Sequence, residues 1–224
     1  ATDSSEVTRP ISVRTECAAA DSPIFFEGAE GTTGTTIPEC WKTDYIVNMS
    51  TSTAAPFQTS TTTKIGTRAF SIPYKTTGTI SYLCSQPLHF DQSGKYSFRY
   101  QMYRPSGTSY NGETLTIYVT PSVGDTANAV EVIPAINFSA GNAPIGTTGW
   151  NEYEGVINYQ GDGYIMAIIN CKNGIQRYID NLEVFLTPSC LKVTDITLAD
   201  VAATSADVAW TAGDDETQWV VNYT

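Results

Sequence analysis

The run from Tyr96 to Val119 narrows the choice of fold more than any other part of this chain. It reads YSFRYQMY, then RPSGTSYNG, then ETLTIYV. In the first part Tyr96, Phe98, Tyr100 and Met102 share one side, and Ser97, Arg99, Gln101 and Tyr103 share the other. In the last part Leu115, Ile117 and Val119 alternate with Thr114, Thr116 and Tyr118. A spacing of two over this length makes two half-buried strands. Pro105, Gly107, Asn111 and Gly112 between them break regular structure and let the chain reverse. The expected element is a long hairpin in the middle of an antiparallel sandwich.

Other strand patterns flank it. Residues 23–31, PIFFEGAEG, read as a strand ending abruptly at carboxylates and glycines. Residues 48–63 are nearly all Ser, Thr, Ala and Asn with Pro56, which reads as a long surface loop. SYLCSQPLHF is a strand that Pro87 places at an edge or an end. Ala129–Ile136, Trp150–Ile157, Tyr164–Asn170 and Tyr178–Leu186 follow as strands, with a turn expected at Gly161-Asp162-Gly163. Apolar residues nowhere recur at helical spacing for three turns. The fold class is therefore all-β, a two-sheet antiparallel sandwich.

Three regions follow. Residues 1–20 form a leader or the end of a preceding module, in which Ile11–Cys17 reads as a short strand. Residues 21–187 form the sandwich. At Pro188 the text changes character, and residues 188–224 hold three strand patterns, including Ala206–Trp210 and Gln218–Tyr223.

Composition excludes some functions. With 12 basic against 23 acidic residues the net charge is -11, so a phosphate backbone would be repelled and a nucleic-acid partner is not expected. No apolar run approaches a membrane span, so membrane insertion is not expected either. The start ATDSSEV lacks Met and a signal pattern and reads as processed or trimmed. The acidic, Thr- and Ser-rich composition suits an extracellular or cell-surface protein. Cys17, Cys40, Cys84, Cys171 and Cys190 show no CxxC spacing, which gives zinc and thioredoxin-like chemistry no support. Disulfides among them compete with the plainer reading of buried free thiols.

Four short motifs occur in order: Phe25-Phe26-Glu27-Gly28; Ile37-Pro38-Glu39-Cys40-Trp41; Tyr82-Leu83-Cys84-Ser85-Gln86-Pro87-Leu88; and Tyr178-Ile179-Asp180-Asn181-Leu182-Glu183-Val184. Together they resemble the MAM-like jelly-roll domains of bacterial surface proteins, of the choice-of-anchor and cleaved-adhesin type, and the Tyr96–Val119 run resembles the MAM motif itself. Residues 188–224 look like the opening of a fibronectin type III module, through Leu191-x-Val193, Trp210 and Val220-x-Asn222-Tyr223. That module needs about seven strands, so the chain is expected to be part of a longer, multi-domain protein. The resemblance implies a jelly roll that binds rather than catalyses, exported from a Bacteroidetes-type bacterium. It also implies a structural Ca2+ held by acidic residues at the positions of Glu27 and Asp180, with backbone carbonyls near Gly28 and Glu30. The loop after Trp41 carries Asp44 alone where many relatives have a run of aspartates, which weakens the case for a second calcium site.

The residues support this in part. Asp180 shares parity with Tyr178, Leu182, Val184 and Leu186, which places a carboxylate on the core side. A buried carboxylate needs a cation, an arginine or backbone donors. The metal reading uses Glu27, Glu30 and Asp180; the plainer one has Asp180 capping a turn and pairing with Arg177 or Lys172. His89 is the only histidine and sits beside Pro87 without a nucleophile-elbow pattern, so it reads as structural or surface and no catalytic residue is assigned. Trp41 and Trp150 follow turn residues and read as core anchors. Tyr103 and Tyr110 flank the central loop, face away from the core, and are the expected ligand-binding residues. Asn48, Asn137 and Asn222 match a glycosylation pattern that carries no meaning in a bacterial protein.

The function expected is a non-enzymatic binding or adhesion module that recognises a glycan or a host or surface protein, with fibronectin type III domains as neighbours and the ligand in loops at one end of the sandwich. The alternatives are a structural spacer and an accessory domain of a larger secreted hydrolase.

Overall fold

The structure, a computed structural model, describes residues 17, 19, 22–49, 55–73, 75–104, 112–138, 148–172, 177–188, 193–202, 204–213 and 217–219. The chain divides into two compact units, Ala1–Phe185 and Leu186–Thr224. Among the described residues every regular element is a strand.

The first unit holds twelve strands: β1 (Phe25–Glu27), β2 (Lys42–Val47), β3 (Gln58–Ser60), β4 (Ala69–Ile72), β5 (Ile80–Cys84), β6 (Leu88–Phe90), β7 (Tyr96–Arg104), β8 (Thr114–Thr120), β9 (Val130–Asn137), β10 (Gly149–Ile157), β11 (Gly161–Asn170) and β12 (Arg177–Leu186). One six-stranded sheet has the order β10-β7-β12-β4-β3, with β1 also on β12. The other has the order β2-β5-β11-β8-β9, with β6 also on β11. Packed face to face, they make a two-sheet antiparallel jelly-roll sandwich, the fold class expected.

The alternation in β7 and β8 is as expected: Tyr96, Phe98, Tyr100 and Met102 are buried, as are Leu115, Ile117 and Val119. The hairpin is not. β7 lies in the first sheet and β8 in the second, so the chain crosses between sheets at this point. Period two records which face of a strand is buried and says nothing about its hydrogen-bonded neighbour. Two strands facing each other across one core alternate as two paired strands do.

Further differences have local causes. β2 and β3 lie in stretches that read as loop, since their inward positions include Thr43 and Thr59 and so carry no clear apolar alternation. The expected turn at Gly161–Gly163 is the start of β11, which pairs there with β6. Pro87 falls in the break between β5 and β6, and Pro134 is exposed on the edge strand β9, where a missing donor costs little. Cys17 and Cys40 form a disulfide with Cα atoms 5.8 Å apart, against the free-thiol reading. Cys84 and Cys171 are buried free thiols.

Core packing joins the sheets. Trp41 is buried against Phe25 and Phe70, with ring centroids 6.1 and 5.1 Å away. At one edge β10 approaches β9 so closely that a Cβ on Gly155 would collide with the Val132 carbonyl oxygen. Arg177 is buried, paired with the buried Glu113, and lies 5.5 Å from the Phe138 ring. Arg177, one of the two partners the plainer reading offered Asp180, has its ion pair with Glu113.

In the second unit β13 (Thr194–Ala199) and β14 (Asp207–Thr211) pair antiparallel, and the Trp210 and Trp219 rings are 5.5 Å apart. The third strand expected there falls on Gln218 and Trp219, which are not in a strand, and on 220–223, which lie outside the described residues, as do Leu191 and the expected strand segment 11–16.

Candidate functional site

β12 changes partner along its length. Arg177–Ile179 pairs with Ile72–Phe70 of β4, and Leu182–Val184 pairs with Glu27–Phe25 of β1. The first and last strands of the domain thus lie side by side. Between the two pairings stand Asp180 and Asn181, and Asn181 has a φ of 49°. Asparagine tolerates this left-handed conformation better than most residues. The kink shifts the alternation. Arg177 and Ile179 are buried before it, Leu182 and Val184 after it, and Asp180 is buried at it. Tyr178 is therefore on the outer face and Leu186 is exposed, contrary to the parity read from sequence.

The three expected metal carboxylates gather around this break, and each is served by backbone amides. Asp180 Oδ2 accepts from the N–H of Lys64 at 2.7 Å and of Ile65 at 3.3 Å, and Oδ1 accepts from Asn181 N–H at 2.8 Å. Glu30 accepts from Thr67 N–H at 2.9 Å, from the Thr67 hydroxyl at 2.8 Å and from Arg68 N–H at 3.3 Å. Glu27 accepts from Ala29 N–H at 2.6 Å. Asp180 and Glu30 therefore clasp the two halves of the loop between β3 and β4. Burial pushes the Asp180 and Glu27 carboxyls above their usual range, and the Glu30 charge adds to both shifts. The Thr67 amide and hydroxyl pull exposed Glu30 below its usual range.

Gly28 lies between two of these groups. A Cβ there would be 3.4 Å from Asp180 Oδ1 and 3.6 Å from Glu30 Oε1. An all-oxygen set of carboxylates and bare backbone at a glycine suits a hard cation such as Ca2+ in its chemistry. Among the described residues no three His, Cys, Asp or Glu side chains already stand close enough together to hold a metal ion.

A second cluster lies on the outer face of the first sheet. β10 and β7 pair with Trp150 opposite Tyr103, Glu152 opposite Gln101 and Glu154 opposite Arg99. Tyr103 and Trp150 rings meet edge to face at 5.5 Å, and Tyr178 of β12 joins Tyr103 at 6.2 Å. Beside these rings Gln101 Nε2 donates to Glu152 Oε2 at 2.9 Å. One step further Arg99 Nε donates to Glu183 Oε2 at 2.8 Å, and the guanidinium lies 4.7 Å from the Phe185 ring. The row opens into a groove of about 260 Å³ between these polar residues and Phe26, Lys64, Ile65 and Asn181.

Tyr103 is thus where parity placed it, facing away from the core. Tyr110 lies outside the described residues. Trp150 is not a core anchor: it is partly exposed on the outer face beside Tyr103, while Asn151 and Tyr153 point inward. The signal was available, since Trp150 shares parity with Glu152 and Glu154. Tyr178 was hidden by the kink at Asn181. His89 is exposed, with Nδ1 2.6 Å from Asp162 Oδ1, a surface contact.

No family model and no curated protein sequence matches the chain. Solved structures do. The K1 cleaved adhesin domain of Lys-gingipain from Porphyromonas gingivalis W83 is similar with a TM-score of 0.52 at 15% identity, covering 74% of this chain and 99% of that domain. The K3 cleaved adhesin domain of the same protein gives 0.50 at 16% identity, over 72% of this chain and 96% of that domain. The CBM22-1 xylan-binding domain of Paenibacillus barcinonensis Xyn10C gives 0.46 at 14% identity, over 75% and 97%. At these identities the likeness to the two adhesin domains is one of fold.

Proposed function

We propose that this chain is a non-enzymatic binding or adhesion module of a secreted or bacterial cell-surface protein, and that it recognises its ligand on the outer face of the first sheet. The observation that carries this reading is the ring trio Tyr103, Trp150 and Tyr178 beside the Gln101–Glu152 and Arg99–Glu183 pairs. Half-exposed rings with polar tips, next to side chains held in place by one another, offer stacking surface and preset hydrogen bonds together. A glycan or a surface protein is the class of ligand such a face suits. The sheet face replaces the end loops as the proposed site, because its side chains are fixed by strand pairing. The adhesin-domain fold supports a binding role, and fibronectin type III neighbours fit the strand pair after residue 188.

A structural Ca2+ belongs to the same proposal. Glu27, Glu30 and Asp180 would hold it, with backbone near Gly28. Bound there, the ion's two charges would offset two of the three carboxylate charges, where Glu30 now opposes ionisation of Glu27 and Asp180, and would fix the break in β12 that sets Tyr178 and Glu183 on the ligand face.

The test is a glycan- and protein-array profile of the full chain with and without EDTA. Specific binding is expected, with weaker signals after chelation. Silence in both conditions would favour a structural spacer instead. Binding unaffected by EDTA would remove calcium and leave the module.

A further inference from the structure

The order of residues along the outer face says more about the ligand than the presence of rings does. The face begins with the Trp150–Tyr103–Tyr178 rings, continues with Gln101 and Glu152, and ends at Arg99 and Glu183. From Tyr103 to Arg99 is four residues of strand, roughly 13 Å. The groove at the far end, about 260 Å³, is smaller than the usual pocket of about 300–1,000 Å³ for a whole small ligand. It suits one end of a chain whose remainder lies along the strands.

Resting on the reading that this face is the binding face, we infer that it takes a neutral saccharide chain rather than an anionic one, with a ring stacked on Trp150 and hydroxyls meeting Gln101, Glu152 and Glu183.

The donors and acceptors decide the sign. Glu152, Glu154 and Glu183 are carboxylates, which accept hydrogen bonds and donate none. Sugar hydroxyls donate to them; the carboxylate of a uronate or a sulfate group cannot, and its charge is repelled. Arg99 is the cation on the row best shaped for an anion, but its guanidinium is bound to Glu183 and lies over Phe185. Its Nε and one terminal nitrogen are both engaged by Glu183 Oε2, which already neutralises the charge an anion would seek. The chain's net charge of -11 adds a long-range repulsion of the same sign. The rings supply what neutral chains offer in return, apolar C–H faces for stacking, with the Tyr hydroxyls and the Trp N–H as polar tips.

The experiment is isothermal titration of the full chain with soluble neutral polymers (a glucan, a mannan, a galactan) and with polygalacturonate and chondroitin sulfate, at one fixed salt concentration. At least one neutral polymer should bind about tenfold tighter than either anionic one. Trp150→Ala should weaken that binding about tenfold or more, and Gln101→Ala several-fold. If Trp150→Ala melts far below the wild type, Gln101→Ala decides, since Gln101 is partly exposed and outside the core. A Glu152→Gln, Glu154→Gln double variant should narrow the preference for neutral chains. Equal or tighter binding of the anionic polymers, weakened by Trp150→Ala, would overturn the neutral class and leave the binding face standing. No binding to any polymer would overturn the saccharide ligand and leave the face to a protein partner, which the array with and without EDTA tests separately. Neutral binding indifferent to Trp150 and Gln101 would overturn the placement.

Discussion

Replacing Asp180 tests how the two pairings of β12 are held together. Its carboxylate is fully buried and accepts from three backbone N–H groups, on Lys64, Ile65 and Asn181. Asp180→Asn keeps the shape but leaves one acceptor and adds a donor. That oxygen can serve Asn181 or the Lys64–Ile65 pair, and the other side then sets an N–H against an N–H. Each hydrogen bond to a charged group is worth about 1.5–3 kcal/mol. Part of this is offset because the neutral amide no longer carries the cost of a buried charge. Lys64 and Ile65 are themselves exposed, which argues for the low end of the range. The net loss should be about 2 kcal/mol, or a fall in Tm of roughly 4–8 °C for a chain of this size. Asp180→Ala removes every acceptor and should cost about 4 kcal/mol, roughly doubling the fall. Calorimetry gives the Tm, and hydrogen exchange at the Lys64 and Ile65 amides should speed up specifically. An Asp180→Asn protein that melts within a degree of wild type, with both amides still protected, would refute the clasp. Adding EDTA separates the second role: if Asp180 also holds Ca2+, chelation lowers the wild-type Tm more than that of the variant.

Three other outcomes follow from the packing. Gly155→Ala puts a methyl against the Val132 carbonyl, so β9 or β10 must shift, and urea denaturation should show a loss of about 1–3 kcal/mol; an unchanged midpoint would mean the two edges are not in contact. Burial pushes the thiols of Cys84 and Cys171 up to about 12 and about 11, so both should resist a maleimide at neutral pH until the protein is unfolded, as read by peptide mass spectrometry. Glu30 has a folded pKa below its unfolded value, so its stabilisation is fully present above the unfolded carboxylate range and is lost as pH falls through the folded pKa. The Tm difference between wild type and Glu30→Gln should therefore be largest near neutrality and shrink in acid; a difference that grows in acid would reverse the assignment.

How much of this could be read from the sequence depends on the kind of order concerned. Strict alternation from Tyr96 to Met102 fixed the buried face of β7, because a one-residue slip would turn Phe98 and Tyr100 into water. The same pattern could not say that β8 belongs to the other sheet, since both strands face one core. Trp150 was legible in principle, because Glu152 and Glu154 mark its side as the solvent side. Tyr178 was not, because one left-handed residue, Asn181, reverses the count three positions on. The burial of Asp180 was anticipated by way of a parity that the kink breaks. Its partners were beyond reach: the Lys64 and Ile65 amides are 116 and 115 residues away, and backbone donors leave no mark in side-chain chemistry. Likewise nothing in the spacing of five cysteines selects Cys17 and Cys40.

The most direct measurement is a ¹⁵N-resolved NMR titration of the full chain with a short neutral oligosaccharide from whichever polymer binds. The outer sheet face predicts shifts concentrated on Arg99, Gln101 and Tyr103, on the Trp150 indole N–H and Glu152, and on Tyr178 and Glu183, with β8 and β11 quiet. Shifts confined to the end loops or to the β2–β5–β11 side, with the Trp150 indole unmoved, would contradict it.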